Sequence, residues 1–353
     1  MISDLPHDLE EEILSRVPIT SLRAVRSTCK QWNRLFKDGS LLKNHRGKEF
    51  LAIKRNGSKV CLMSINLQGN QPIKRIGKTK LEYTSSRFIH CNGLLLFTDF
   101  TRLVVWNPYL GQTRRVEPRR VYCKKDAYGF GYDKNNNHKI LRLVYGLNYN
   151  FATQEIYNLN SNSWKVHPSP SAIVYQWCTG VSVKGSSYFL AKEKGKEEVV
   201  GNAFFLLGFD FTREAFGPRL ELPYLPDGRE EYLKVLSSLR EEKLVVLLRR
   251  RSYTLEMEIW ITDKVEPNAV SWNKFLAVNF ATVTGFEYVV YPWRGFFVDE
   301  EKKVVVFSEM TAYGPQNETW GCIIWEDGYL KNVDRGDDGP FVCSYYAPSL
   351  VQI

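Results

Sequence analysis

The spacing of apolar positions changes once along this chain. In the first forty-five residues it is helical; from about Lys48 onward it is that of strands. Leu9, Ile13, Leu14 and Val17 fall at i, i+4, i+5 and i+8, one face of a helix. Asp8, Glu10, Glu11 and Glu12 occupy its first turns, where the helix dipole favours negative charge. Pro18 stops it. Thr20 or Ser21 caps a second helix and Ser27 or Thr28 a third, with Leu22, Val25, Cys29, Trp32, Leu35 and Phe36 at three-and-four spacing across both. Three helices are therefore expected over residues 1–45. Helices this short need packing to persist, and a module of about 45 residues buries little surface of its own. Leu5, Pro6, Ile13, Pro18 and Leu22 exceed what one small core needs and are available to another surface. A bundle that merely caps the neighbouring domain is the alternative.

Residues 46–353 read as all-β. Runs of four to eight Val, Ile, Leu, Phe, Tyr and Trp alternate with Gly, Asn, Asp and Pro turns. An aromatic recurs at Trp106, Tyr157, Phe209, Trp260 and Trp325, with spacings of 51, 52, 51 and 65 residues. A repeat near 50 residues with about four strands is the mark of a propeller blade. The clearest unit has strands at Tyr128–Tyr132, Lys139–Tyr145, Glu155–Leu159 and Trp164–His167. Others cover 90–118, 178–223, 232–278 and 291–336, with a weaker one over 48–78. Cys343 to Ala347 reads as one more strand that completes the first unit and closes the ring, leaving no sheet edge. Six blades are expected, five or seven being alternatives; a pair of packed sheets is the competing architecture.

Composition narrows the class. Of 353 residues, 44% are hydrophobic and 25% charged, as in a soluble globular protein. No run of about 18 apolar residues points to a membrane span, and the acidic N-terminus is no secretory signal. The seven cysteines, at 29, 61, 91, 123, 178, 322 and 343, form no two-spaced pair, so no zinc site or redox motif is indicated. A dispersed, odd set suits reduced thiols in the cytoplasm or nucleus. The net charge of +9 is spread out, which fits a solvated basic surface better than a nucleic-acid site.

No catalytic constellation is present. None of His7, His45, His90, His138 and His167 pairs with a carboxylate or cysteine at metal-ligand spacing, and no metal or cofactor is expected. Gly129-Phe130-Gly131 leads to no helix and reads as a packing pair inside a strand. Asp133 to Asn137 and Asn160 to Ser163 lack the spaced acids of a calcium loop and read as tight hairpin turns. The repeat aromatics read as packing between blades.

Two family resemblances cover nearly the whole chain. Leu5-Pro6, Asp8-Leu9, Glu12-Ile13-Leu14, Arg16, Pro18, Ser21-Leu22, Arg26, Cys29-Lys30, Trp32 and Asn33 resemble the F-box. That resemblance implies docking on a Skp-type adaptor of a cullin-RING ubiquitin ligase. The adaptor-binding positions it implies are Leu5, Pro6, Leu9, Ile13, Leu14, Pro18, Leu22, Val25 and Trp32, of which Leu14, Val25 and Trp32 also support the helices. Downstream, Cys91-Asn92-Gly93-Leu94, Trp106-Asn107-Pro108, Tyr128 to Asp133, Ile156 to Trp164, Gly180 to Gly185, Phe209 to Thr212, Phe216 to Arg219, Leu255 to Trp260 and Glu266 to Trp272 resemble the plant F-box-associated interaction domain, type 1, a kelch-like family. The repeats lack the paired glycine that true kelch carries after its second strand.

The function these resemblances imply is that of a non-catalytic substrate receptor in an SCF-type ubiquitin ligase. A ligand- or glycan-binding propeller tethered through its F-box is the alternative, and a propeller enzyme is disfavoured by the missing acid–base set. Loop lengths point to the substrate face. The first-to-second and third-to-fourth turns of each unit are short. The second-to-third loops and inter-blade links are longer and carry Phe100, Tyr149, Phe151, Tyr175, Trp177, Tyr253, Trp293 and Tyr313, with Arg119, Arg120 and Tyr122 on one link. Long loops on a rigid scaffold are where protein partners usually bind.

Overall fold

In the computed structural model the described residues are 6–17, 25, 28, 32, 50–56, 59–65, 73–82, 87–98, 102–120, 123, 126–145, 151–168, 172–174, 180–193, 204–223, 232–250, 256–266, 268–279, 290–292, 296–312, 319–333, 341–342, 349 and 351–353. Among the described residues α1 (His7–Arg16) is the one helix with defined bounds, and the elements from Phe50 onward are strands. Val25 and Trp32 are also helical, but the second and third expected helices otherwise fall outside the described residues. No helix among those residues is long and apolar enough to cross a membrane.

Among the described residues the strands pair antiparallel into six sheets. The first contains β1 (Phe50–Asn56), β2 (Lys59–Ile65) and β3 (Ile73–Glu82). The second contains β4 (Arg87–Cys91), β5 (Leu94–Thr98), β6 (Leu103–Asn107) and β7 (Gln112–Val116). The third is β8 (Ala127–Tyr132), β9 (His138–Tyr145), β10 (Phe151–Asn158) and β11 (Ser163–His167). The fourth is β12 (Ala172–Val174), β13 (Val181–Val183), β14 (Ser186–Glu193), β15 (Phe205–Asp210) and β16 (Ala215–Glu221). The fifth is β17 (Tyr232–Leu239), β18 (Lys243–Arg250), β19 (Glu256–Glu266) and β20 (Ala269–Asn279). The sixth is β21 (Val290–Pro292), β22 (Phe296–Asp299), β23 (Val304–Ala312), β24 (Thr319–Trp325) and β25 (Leu330–Val333). The last strand, β26 (Phe341–Val342), returns to the first sheet and pairs with β1 through Ile53–Val342 and Lys54–Phe341.

Strand boundaries differ from the sequence reading by a residue at several places and by more at β10. The described returning strand is Phe341–Val342; the strand expected over Cys343 to Ala347 lies outside the described residues. Strand β10 begins at Phe151 rather than Glu155, because the ladder with β9 continues past a bulge between Phe151 and Thr153. Phe151 is thus a strand residue opposite Tyr145, not a loop residue.

The middle strands are buried on both faces, which explains their unbroken apolar runs. In β5 and β6 every residue is buried. Alternate side chains go to opposite neighbours. Val245 and Leu247 of β18 join Val305, Phe307 and Ile324 of the sixth sheet, whereas Leu244 joins Leu190, Leu206 and Leu220 of the fourth. Leu103 and Val105 meet Tyr128, Phe130 and Tyr157 of the third sheet, and Leu141 and Ile156 meet Phe189, Leu207 and Phe209 of the fourth. The core therefore lies between the faces of successive sheets from the second to the sixth. Trp106, Tyr157 and Phe209 are buried in this packing, while Trp260 and Trp325, at matching positions, are half-buried. Two more aromatics join successive sheets: the indole N–H of Trp164 donates to the Glu117 carbonyl at 2.9 Å, and that of Trp272 to Glu221 at 3.0 Å.

The turns have the chemistry their sequences suggest. Asn92-Gly93 and Lys184-Gly185 are two-residue links with positive φ throughout, the conformation that matches strand twist. The Asp133 carboxylate accepts from the Asn135 and Asn137 amides, and Asp210 from Thr212 and Arg213, closing hairpins. Gly131 is a contact glycine: a Cβ there would lie 2.1 Å from the Gly185 carbonyl oxygen and 2.3 Å from the Phe211 ring.

Candidate docking faces

Helix α1 divides its side chains between two surroundings. It opens after Pro6, whose carbonyl accepts from the amides of Leu9 and Glu10, and ends where the Val17 amide returns to Leu14. Leu14 is fully buried and Glu10 nearly so. One hundred degrees round the helix, Leu9 and Ile13 are 46% and 44% exposed, and Pro6 and Glu12 are exposed beside them. Four apolar positions that periodicity alone assigns to a single face thus divide into an inner residue, Leu14, an exposed pair one turn apart, and Val17, half-buried just past the helix. Val25 and Trp32 are half-buried; Leu5, Pro18 and Leu22 fall outside the described residues.

The short turns of the β domain are bonded to one another. The Glu241 carboxylate, from the β17–β18 turn, accepts from the Asn92 amide in the second sheet at 2.8 Å and 2.9 Å, and meets His90 Nδ1 at 2.9 Å. The Glu241 carbonyl accepts from the Lys184 amide of the fourth sheet. One residue therefore ties turns of three sheets, and both Arg240 and Glu241 hold positive φ to place it. Farther out, Lys139 Nζ bonds Glu214 at 3.0 Å and Asp133 at 3.2 Å, Glu214 also takes Lys165 at 2.7 Å, and the Asn160 side chain bonds that of Asn137. The terminal residues lie on this side too. Asn107 Nδ2 donates to the carbonyls of Ser349 and Val351, while Val351 and Ile353 pack on the core between the second and third sheets.

On the opposite side, the link from β7 to β8 rests on buried charge. Arg142 is fully buried; its Nε and Nη2 donate to Asp126 Oδ2 at 3.0 Å and 2.7 Å, and its Nη1 to Glu155 at 3.3 Å and the Arg120 carbonyl at 3.2 Å. Burial works against the Arg142 charge, but Tyr128, Asp126 and Glu155 outweigh it and strengthen proton binding. Arg119, its side chain 43% exposed, meets the other oxygen of Glu155 at 3.3 Å. Of the aromatics named for the substrate face, Phe100, Tyr122, Tyr149, Tyr175, Trp177, Tyr253, Trp293 and Tyr313 fall outside the described residues. Arg119 and Arg120 are both exposed on the link. Sequence reading missed the Arg142 support beneath them. Its only signal is a charged residue inside the otherwise apolar run Ile140–Tyr145, a residue type seldom buried unless paired.

Residues 2–44 match the model of the F-box domain, and residues 51–353 that of the F-box associated beta propeller domain. The chain belongs to the F-box proteins that carry this propeller domain. Relatives in Arabidopsis thaliana include an F-box/kelch-repeat protein, 43% identical over 100% of this chain and 99% of its own length. Another F-box protein of that plant is 42% identical over 100% of this chain and 98% of its own. Among solved structures, an oligogalacturonate lyase in complex with manganese overlays at a TM-score of 0.43 and 12% identity, covering 81% of this chain and 79% of that one.

Proposed function

We propose that this F-box protein is the substrate-recognition subunit of an SCF-type cullin-RING ubiquitin ligase, working in the cytoplasm or nucleus. It binds and positions; catalysis belongs to other subunits. The observation that carries this reading is the exposed pair Leu9 and Ile13, with Pro6, on a helix inside the F-box match. Apolar side chains left in water on a helix whose other face is packed gain by docking on an apolar groove. Leu5, Pro18 and Leu22, outside the described residues, are the further positions that the F-box pattern assigns to a Skp-type adaptor, while Leu14, Val25 and Trp32 support the helices.

The six sheets are read as six blades of one ring, closed where β26 joins β1. Its long-loop side receives the protein to be ubiquitinated, through the aromatics of the longer loops and through Arg119 and Arg120. The hydrogen bonds that occupy the short turns support this choice, since they leave fewer polar groups there for a partner.

The test is co-expression of the full chain with a Skp-type adaptor. Central apolar anchors contribute about 2 kcal/mol each, so Leu9→Ala with Ile13→Ala is expected to weaken co-purification by about a hundredfold or more. Both side chains are half in solvent, and the melting temperature stays close to that of the parent. Undiminished co-purification refutes the reading.

A further inference from the structure

The link between β7 and β8 is held more firmly than a connection requires. The Trp164 indole fixes the Glu117 carbonyl, and Arg142 fixes the Arg120 carbonyl. The Asp126 carboxylate accepts from the Cys123 amide at 3.1 Å, and the Asp126 amide donates back to the Cys123 carbonyl at 3.0 Å. Every one of these supports acts on the main chain or on Asp126; the Arg120 side chain is exposed, while that of Arg119, partly exposed, reaches back to Glu155. Burying an arginine with two carboxylates is costly and seldom justified by stability alone. Here the result is a shelf whose main chain is held at Glu117, Arg120 and Cys123, with Arg119 paired to Glu155 and Arg120 exposed.

The charge along this stretch of the sequence is concentrated. Between residues 114 and 125 six basic residues face one acidic residue, whereas the whole chain has 48 against 39. Arg114 is spent on Asn162, and Arg115 on the one acid, Glu117. Arg119 completes the buried pairs: Arg142 alone balances only one of Asp126 and Glu155, and Arg119 supplies the second positive charge. The Arg120 guanidinium has no partner among the described residues, while its carbonyl is the group that holds Arg142.

We infer that this shelf is a docking site for an acidic stretch of the substrate protein, rich in Asp and Glu, with Arg120 as the principal contact and Arg119 shared with Glu155. Guanidinium groups take carboxylates in a fork geometry, and a main chain already held beneath them leaves chiefly side-chain freedom to be lost on binding. The inference rests on the substrate-receptor reading and adds the chemistry of what is received.

The full chain, purified with its adaptor, is applied to a peptide array holding Asp/Glu-rich, Lys/Arg-rich and uncharged sequences in equal number. Acidic peptides are expected to dominate, with signal falling as salt is raised. Arg120→Glu keeps the carbonyl that supports Arg142, so the fold is retained while binding to those peptides falls about tenfold or more. Arg213→Glu, the same charge change on an exposed short turn, leaves binding unchanged. No preference for acidic peptides, or equal losses in the two variants, overturns the inference. Adaptor co-purification is measured on the same samples: its loss counts against the receptor reading, whereas a bound adaptor with no acidic preference counts against the shelf alone.

Discussion

Replacing Arg142 with Met tests how much of the third sheet depends on buried charge. The side chain has no exposed surface, and its removal deletes two hydrogen bonds to Asp126, one to Glu155 and one to the Arg120 carbonyl. The two carboxylates are not left equal. Glu155 keeps Arg119 at 3.3 Å, whereas Asp126 keeps the Cys123 amide and loses Arg142. Removing one member of a buried ion pair costs about 3–5 kcal/mol, because the remaining charge stays out of water uncompensated. At about 2 °C per kcal/mol for a domain of this size, the melting temperature falls by roughly 6–10 °C. Calorimetry of the purified chain with its adaptor measures this directly. Asp126→Asn added to Arg142→Met recovers part of the loss by removing a buried charge that Arg142 no longer offsets, which mere loss of packing volume does not predict. A fall of less than about 2 °C in the single variant, or no recovery in the double, refutes the reasoning.

Other consequences are as specific. Burial lowers the His138 pKa from 6.5 to about 4 against the pull of Glu241 and Asp133, and Nε2 has no hydrogen-bond partner among the described residues. The unfolded chain then binds a proton that the folded one refuses between those values, so stability falls as pH drops from 6.5 towards 4, by roughly 3 kcal/mol. His138→Leu removes that share of the slope in urea titrations run across this pH range; an unchanged slope counts against the assignment. Gly131→Ala forces a methyl against the Gly185 carbonyl and the Phe211 ring, and overpacking of this kind costs about 1–3 kcal/mol, read as a lower urea midpoint. Asn107→Ala cuts both hydrogen bonds to the terminal residues and the one from the Leu110 amide; it costs about 1–3 kcal/mol and speeds cleavage of the C-terminus by carboxypeptidase. Deleting 341–353 removes β26 as well, exposes the edge of β1 and leads to aggregation visible by size-exclusion chromatography.

The sequence by itself determined the change from helix to strand, the repeat near 50 residues, the short turns and the residues that match the F-box. These are local properties: burial on two faces writes continuous apolar runs into β5, β6 and β18, and Asn-Gly or Asp-x-Asn writes a turn wherever it stands. The glycines at 129 and 131 were legible as contact points for the same reason. What only the tertiary structure decided is which distant groups meet. Glu241 and Asn92 stand 149 residues apart, Asn107 and Ser349 242 apart, and neither pair has a spacing that marks it. The division of α1 was equally hidden, because Leu9, Ile13 and Leu14 are alike in hydrophobicity and only a neighbour can tell the inner residue from the outer ones. Arg142 and Asp126 are near in sequence, yet their pairing requires the face each presents, and that is fixed by strand register and by the sheet packed alongside. Hydrophobic patterning is non-directional and survives in the order of residues; ion pairs and hydrogen bonds are directional and exist once the sheets have brought their atoms within about 3 Å.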